Sequence, residues 1–353
     1  MAEKKPKPQK NIFQSSLDWF LRRPESGIVL ILVLFVTVVT IINPRFLALT
    51  NVANILHSAG FIMICVVGMA MVLIIGGLDL SIGSIYALSA LICGLAMTQW
   101  GLPIPVAILM GLMTGCLCGV INGFLIVRTG IPPMIVTLGM QYALRGVLSV
   151  LTKGVPIYPL PDGFTAIDAL RIFPDSNGKG GIQIVIILAA VLIAIMGHII
   201  LSKTYFGRSI YALGGNQDAA RISGINIGRT KMIVYILMGI TSALAGIMMS
   251  SRLGSVEPST GAGLELKVIC GAIIGGISIT GGMGTMFGAA LGAVFMEALT
   301  NSLTTMRVSV YWQNLVFGIA MILSVLLDQY KRSLIKRRSI RSTEIKKTAP
   351  QKQ

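Results

Sequence analysis

The sequence predicts an all-α fold: a polytopic membrane helical bundle of about ten transmembrane helices, with two related halves and broken helices. Three observations lead there. The chain of 353 residues is 54% hydrophobic and only 12% charged, with a mean hydropathy of +0.82, so a soluble domain of this size lacks the polar surface to cover its core. Apolar runs of bilayer-spanning length recur along it. Two of those runs end in glycine-rich polar segments of matching pattern, GGLDLSIG at 76–83 and GGISITGG at 275–282.

The spans read at 28–43, 55–75, 82–98, 103–127, 131–151, 182–201, 231–250, 266–280, 284–303 and 309–327. The first follows a lead containing Arg22 and Arg23 and is followed by no small-residue cleavage pattern, so it reads as an uncleaved span. Cations set the orientation. Residues 1–23, 202–231 and 331–353 hold twenty of the 29 Lys and Arg residues. With all three segments cytoplasmic, the positive-inside rule is met by six spans before Ser202 and four after Lys231, and both termini lie inside. The division is then 1–27 as a cytoplasmic lead, 28–328 as the membrane domain and 329–353 as a basic cytoplasmic tail. Residues 152–181 form an exterior loop and 202–231 a cytoplasmic segment. The loop is charge-balanced, with Lys153, Arg171 and Lys179 against Asp162, Asp168 and Asp175. The net charge of +16 is thereby assigned to topology and anionic lipid headgroups in the bilayer, not to nucleic acid.

The two glycine segments share the pattern Gly-Gly-apolar-(Asp or Ser)-apolar-(Ser or Thr)-x-Gly, 199 positions apart. Each precedes glycines spaced by four and then an asparagine: Gly111, Gly115, Gly119 and Asn122 in the first half, Gly284, Gly288, Gly292 and Asn301 in the second. Paired glycine-interrupted segments point to a solute path. With six spans between them the two copies run in the same sense; one span more or fewer would invert them. A broken helix frees backbone groups that hydrocarbon cannot satisfy, so the break faces protein or a wet cavity. Gly76, Gly77, Asp79, Ser81, Ser84, Asn122, Gly275, Gly276, Ser278, Thr280 and Asn301 are therefore the candidate path residues. Close helix packing is the competing reading for the four-spaced glycines. An intramembrane carboxylate costs at least ~2.5 kcal/mol, so Asp79 either meets a solute or caps the next helix.

In the cytoplasmic segment, Gly214-Gly215 is a breaker and Asn216 an N-cap for a short helix QDAARIS that stops at Gly224. Such a helix is too short to persist alone; it lies on its own membrane domain or docks on a partner, with small Ala219 and Ala220 allowing close approach and Ile222 able to fill a pocket. Elsewhere no catalytic residues, cofactor or metal site are expected. No GxxxxGK[ST], HExxH, CxxC or GxSxG element occurs, and Cys65, Cys93, Cys116, Cys118 and Cys270 all sit in apolar runs as small hydrophobes. His57 and His198, near the ends of spans, read as interfacial packing. Arg145 and Glu297 either pair or point into an aqueous path. Trp19, Trp100 and Trp312 read as interface anchors.

GGLDLSIGS, then INGFLIVRTGIPPMIVTLGM from 121, FGRSIYALGGNQDAARISGI from 206 and ELKVICGAIIGGISITGGMGTMFGAALGA from Glu265 resemble, in order, the membrane permease subunits of bacterial ABC sugar importers of the ribose, galactose and xylose type. The resemblance covers about residues 28–328. It implies a translocation path made by two permease subunits, identical or related. A separate ATP-binding subunit sits on the cytoplasmic face, an external binding protein delivers a sugar or sugar-like solute, and the setting is the bacterial inner membrane. By the same resemblance Asn216, Asp218, Ala219, Ala220, Arg221, Ile222, Ser223 and Gly224 form the coupling helix that meets the ATPase. Leu264, Lys267 and Cys270 stand where tyrosine, an acid and alanine are usual in the family, which leaves nucleosides, autoinducer-type furanoses and other polyols as solutes beside pentoses and hexoses. An ion-driven secondary transporter is the alternative; it calls for more intramembrane carboxylates than Asp79 and Glu297. An integral membrane enzyme is a third class, for which no nucleophile, metal cluster or acid/base pair is visible.

Overall fold

A computed structural model describes residues 25–172 and 182–309, and residues 311–326 apart from 314, 321 and 324. The basic lead with Trp19, the middle of the exterior loop with Asp175 and Lys179, and the basic tail lie outside the described residues. The fold is all-α and polytopic. In chain order the helices are α1 (Ser26–Ile42), α2 (Leu49–Ile74), α3 (Ile82–Thr98), α4 (Ile104–Thr129), α5 (Pro133–Thr152), α6 (Asp162–Ala169), α7 (Val185–Lys203), α8 (Tyr205–Gly215), α9 (Gln217–Ile222), α10 (Ile227–Leu253), α11 (Leu264–Ile274) and α12 (Met286–Thr305). A 3₁₀ turn at Pro44–Leu47 joins α1 to α2, and two short antiparallel strands, β1 (Arg171–Ile172) and β2 (Ile182–Gln183), flank the loop before α7. The described residues of 311–326 are helical.

Local chemistry sets many of these boundaries. Thr204, Asn216, Asn226 and Thr285 each accept, through the side chain, a backbone N–H in the first turn of α8, α9, α10 and α12. Pro103 and Pro132 precede α4 and α5, where the absent N–H costs nothing. Among the described residues six helices are long and apolar enough to cross a membrane: α2, α4, α5, α7, α10 and α12; α1 and α3 are apolar but shorter. The 26 residues of α2 reach about 39 Å at ~1.5 Å each, more than the hydrocarbon thickness. By contrast α11, read from sequence as a span over 266–280, stops at Ile274 after 11 residues, about 16 Å and half a bilayer. Its apolar run continues past the helix because Ile277 and Ile279 belong to the turn that follows.

Helix α2 is the axis of the bundle, almost fully enclosed from Ala59 to Ile75. It packs on α10, α12, α11 and α7, while α10 also packs on α4 and α3. Lipid tails give little hydrophobic drive for such contacts, so small residues set how closely backbones approach. The four-spaced glycines of α4 serve that purpose: a Cβ at Gly115 would strike the Gly239 carbonyl of α10, and one at Gly239 would strike the Gly115 carbonyl. Helix α5 turns much of its surface outward, with Met134, Ile135, Leu138, Tyr142, Val147 and Val150 exposed. One end of the bundle carries α8 and α9. The other carries α6, the strand pair and the bridge between Ile157 and Val256.

Candidate functional site

The first glycine motif ends α2. Gly76 takes φ +75°, open to glycine at no steric cost, and residues 77–81 then run without helix or strand to the start of α3. That stretch is held from two sides: Leu78 accepts from the Tyr235 hydroxyl of α10 (3.4 Å) and the Thr137 hydroxyl of α5 (3.3 Å), and the Leu80 N–H donates to Thr137 Oγ1 (3.1 Å). Asp79 is fully buried. Its Oδ1 accepts the Ser81 N–H at 2.8 Å and the Ser81 hydroxyl at 2.6 Å, and Asn122 Nδ2 of α4 lies 2.9 Å from Ser81 Oγ and 3.5 Å from Asp79 Oδ2. Asp79, Ser81 and Asn122 thus form a closed polar ring that fixes the entry to α3. Ser84, one turn on, points elsewhere and donates to the Gln141 carbonyl of α5 at 3.0 Å.

The second motif folds into a turn after α11. Gly275 is buried against the backbone of Gly288, and Gly276 takes φ +92°. Ser278, buried, donates its N–H to the Met283 carbonyl at 3.1 Å, while Thr280 is exposed. The Gly282 N–H then donates to the Ile74 carbonyl at 2.8 Å, satisfying an acceptor freed at the end of α2. The two motifs, 199 residues apart in sequence, therefore meet in one joint. Helix α8 closes on it: a Cβ at Gly214 would collide with the Ile74 carbonyl and the Gly282 nitrogen, and the Tyr211 hydroxyl donates to the Gly284 carbonyl at 2.8 Å. Asn301 is not at this joint. It sits near the opposite end, exchanging side-chain hydrogen bonds with Asn51 of α2 at 3.0 and 3.1 Å.

Beyond α8 the chain forms α9. Asn216 Oδ1 accepts the Ala219 N–H at 3.0 Å, Ser223 follows the last helical residue, and Gly224 takes φ +79°. Six residues cannot hold a helix alone. Buried Ala220 anchors α9, which rests on α8 and the start of α10. Asp218, Ala219, Arg221, Ser223 and Gly224 are exposed, and Ile222 is 88% exposed.

Comparison with known proteins follows the same outline. Residues 51–325 match the family model described as branched-chain amino acid transport system / permease component. The chain belongs to that family. This permease component is 37% identical over 302 residues to the ribose import permease protein RbsC of Haemophilus influenzae, covering 85% of this chain and 91% of that protein. It is 38% identical over 304 residues to the ribose import permease protein RbsC of Bacillus subtilis, with 85% and 91% covered. To the xylose transport system permease protein XylH of Haemophilus influenzae it is 32% identical over 337 residues, with 80% and 90% covered. No solved structure gives a significant match.

The permease carries two polar groupings that its sequence did not announce. Gln141 Nε2 of α5 donates to Glu265 Oε1 at the start of α11, 3.2 Å away. Beside them Arg145 donates through Nη1 to the carbonyls of Pro258 (2.9 Å) and Thr260 (2.8 Å). This corrects the expected pairing of Arg145 with Glu297: the turn at 258–260 offers carbonyls at hand, and the cations within electrostatic reach of Glu297 are Lys267 and Arg252. At the α6 end, His57 is buried, with Nε2 3.0 and 3.1 Å from the two carboxylate oxygens of buried Asp168. Gln141 and Glu265 interrupt apolar runs, which was the available signal; the His57–Asp168 pair left none. His198 is exposed on α7 at the rim of an apolar groove, and Trp100 and Trp312 are exposed as interface anchors require.

Proposed function

We propose that this permease is one of two membrane subunits forming the translocation path of a bacterial ATP-binding-cassette importer for a sugar or sugar-like solute. An external binding protein delivers the solute and a separate ATP-binding subunit drives the cycle from the cytoplasmic face. The observation that carries the reading is the match over 85% of this chain and 91% of each ribose import permease. In this reading the inner membrane is crossed about ten times, with both termini, residues 202–231 and the tail 329–353 cytoplasmic and 152–181 outside. The joined glycine turns are the repeated feature of two related halves. Helix α9, from Asn216 to Gly224, is the surface that meets the ATPase, with Ile222 as the side chain offered to it.

The geometry supplies a transmission route. Closure of the ATPase presses on α9; Asn216 links α9 directly to Gly214 and Gly215, the last residues of α8; and Gly214 abuts both glycine turns at Ile74 and Gly282. Pull-down of the tagged permease from native membranes in mild detergent, with partners identified by mass, tests the reading. An ATP-binding subunit in the complex is expected; a homo-oligomer reproducibly lacking one refutes it.

A further inference from the structure

The middle of α5 holds polar groups where a lipid-facing helix would have none. Gln141 lies near the midpoint of Pro133–Thr152, and its helix neighbours Leu138 and Tyr142 are exposed. Hydrocarbon cannot satisfy an amide or a carboxylate at that depth. The face between α5 and the start of α11 therefore borders water or protein, not lipid.

Its chemistry is specific. Glu265 Oε1 accepts from Gln141, whereas Glu265 Oε2 is buried with no hydrogen-bond partner among the described residues. The carboxylate reaches this position because residue 83 is glycine: a Cβ there would lie 2.7 Å from Oε2. Arg145 stands within electrostatic reach of Glu265. Its Nη1 is committed to the Pro258 and Thr260 carbonyls and its Nη2 lies 3.4 Å from the Gly83 carbonyl, which fixes the guanidinium beside the carboxylate. Ser84 fixes the other side by holding the Gln141 backbone carbonyl. An unpaired acceptor in such a setting is expensive until a donor reaches it. Carboxylate and guanidinium are opposite in charge, so the grouping presents no net charge that would select a charged solute. The second N–H of the Gln141 amide and its oxygen add a donor and an acceptor, a set that matches adjacent hydroxyl groups.

We infer that Glu265 and Gln141, backed by Arg145, form a hydroxyl-binding station for a neutral polyhydroxylated solute midway along the path. The inference rests on the importer reading and adds a place and a solute chemistry to it.

The test uses the full importer complex in lipid nanodiscs, with the five native cysteines replaced by alanine and single cysteines introduced by Q141C or, as a control at an exposed position of the 152–181 loop, V155C. A charged, water-soluble thiosulfonate is expected to label both positions. Failure to label Q141C while V155C reacts shows that the face is dry and overturns the inference, with the importer reading intact as long as the ATP-binding subunit co-purifies. Absence of that subunit refutes the importer reading instead. Uptake of labelled D-ribose and D-xylose by the reconstituted complex supplies the second readout. Where the parent complex takes up either pentose, E265Q is expected to lower uptake by about tenfold or more, the loss of one charge-assisted hydrogen bond, with the complex recovered in parent yield. Undiminished uptake by E265Q overturns the station. Where neither pentose enters, labelling at Q141C decides.

Discussion

Replacing Asp79 by alanine separates a structural role for this carboxylate from a solute-contacting one. In the structure Asp79 Oδ1 is the shared acceptor for the Ser81 N–H at 2.8 Å and the Ser81 hydroxyl at 2.6 Å, and all three groups are buried. Asp79→Ala strands both donors, at ~1–3 kcal/mol for each buried group left unsatisfied, or about 2–6 kcal/mol in total; relief from burying a charge offsets part of this. Asp79→Asn retains one oxygen for Ser81, and rotation of the Asn122 amide lets its Oδ1, which has no hydrogen-bond partner among the described residues, accept from the new NH₂. The loss there is expected to stay near ~1 kcal/mol. Adding Ser81→Ala to Asp79→Ala removes one of the stranded donors and restores part of the loss, a coupling of ~0.5–3 kcal/mol for residues in direct contact. The assay is thermal unfolding of the purified complex, followed by size-exclusion chromatography of heated samples, with uptake measured in parallel. The expected order of stability is parent, Asp79→Asn, the double variant, then Asp79→Ala. If Asp79→Ala matches Asp79→Asn, or the second substitution brings no recovery, the closed-ring argument fails. Abolished uptake in a fully stable Asp79→Asn complex would return the carboxylate to the solute.

Three further perturbations probe other parts of the molecule. Ala219→Arg places a long cation on the exposed face of α9 and is expected to leave the permease in the membrane while uncoupling uptake from ATP hydrolysis; parent coupling in that variant would remove α9 from the ATPase interface. Gly214→Val forces side-chain atoms against the Ile74 carbonyl and the Gly282 nitrogen and is expected to cost ~1–3 kcal/mol or more by overpacking, read as a lower unfolding temperature, whereas Gly215→Ala, with open space at its Cβ, is expected to be near neutral. His57→Ala leaves Asp168 buried without its partner and is expected to cost ~3–5 kcal/mol, while the paired change to two leucines is expected to cost much less. Equal losses from the single and paired changes would show that the polar pair contributes only shape.

The parts of this architecture that were legible in the sequence are those governed by neighbours in the chain. Asn216, the run to Ile222 and Gly224 announce α9 because an N-cap, a short helix and a left-handed exit need only consecutive residues. Gly76 and Gly282 announce turns for the same reason. Hydropathy misjudged α11, since Ile277 and Ile279 are apolar yet sit in a turn, and an average over a window takes no account of positive φ at Gly276. Contacts between distant residues left little or no trace. His57 and Asp168 are 111 positions apart, and Gln141 and Glu265 are 124 apart. Arg145 illustrates the difficulty: charge alone suggested Glu297, but carbonyls in the 258–260 turn lay within reach once the chain had folded. Glycine spacing likewise set Asn301 beside Asn122 in pattern, whereas the fold puts Asn122 against Ser81 and Asn301 against Asn51.

That separation of the two asparagines bears on how force would travel in the proposed importer. Helices α2 and α12 are tied near one end by the reciprocal Asn51–Asn301 amide pair and at the other by the Gly282 N–H on the Ile74 carbonyl. The first tie involves two side chains within two packed helices. The second is a single backbone hydrogen bond in a joint of glycines, and α8 presses on that joint alone. Gly214 and Gly215 are the last residues of α8 and only Asn216 separates them from α9, so a displacement imposed at α9 reaches Gly214 with little attenuation. The joint is the softer of the two ties because its residues lie in turns and not in helix. A push from the ATPase side would therefore separate α2 from α12 at the joint while the Asn51–Asn301 end holds, converting a surface displacement into splaying of the bundle. Gly76 and Thr280, whose carbonyl lies 3.7 Å from the position a Cβ on Gly76 would take, would be the first groups to part. Thr280 is exposed already, so opening there lengthens an existing surface into the protein, and Asp79, one turn away in its closed ring, keeps the entry to α3 intact while it happens.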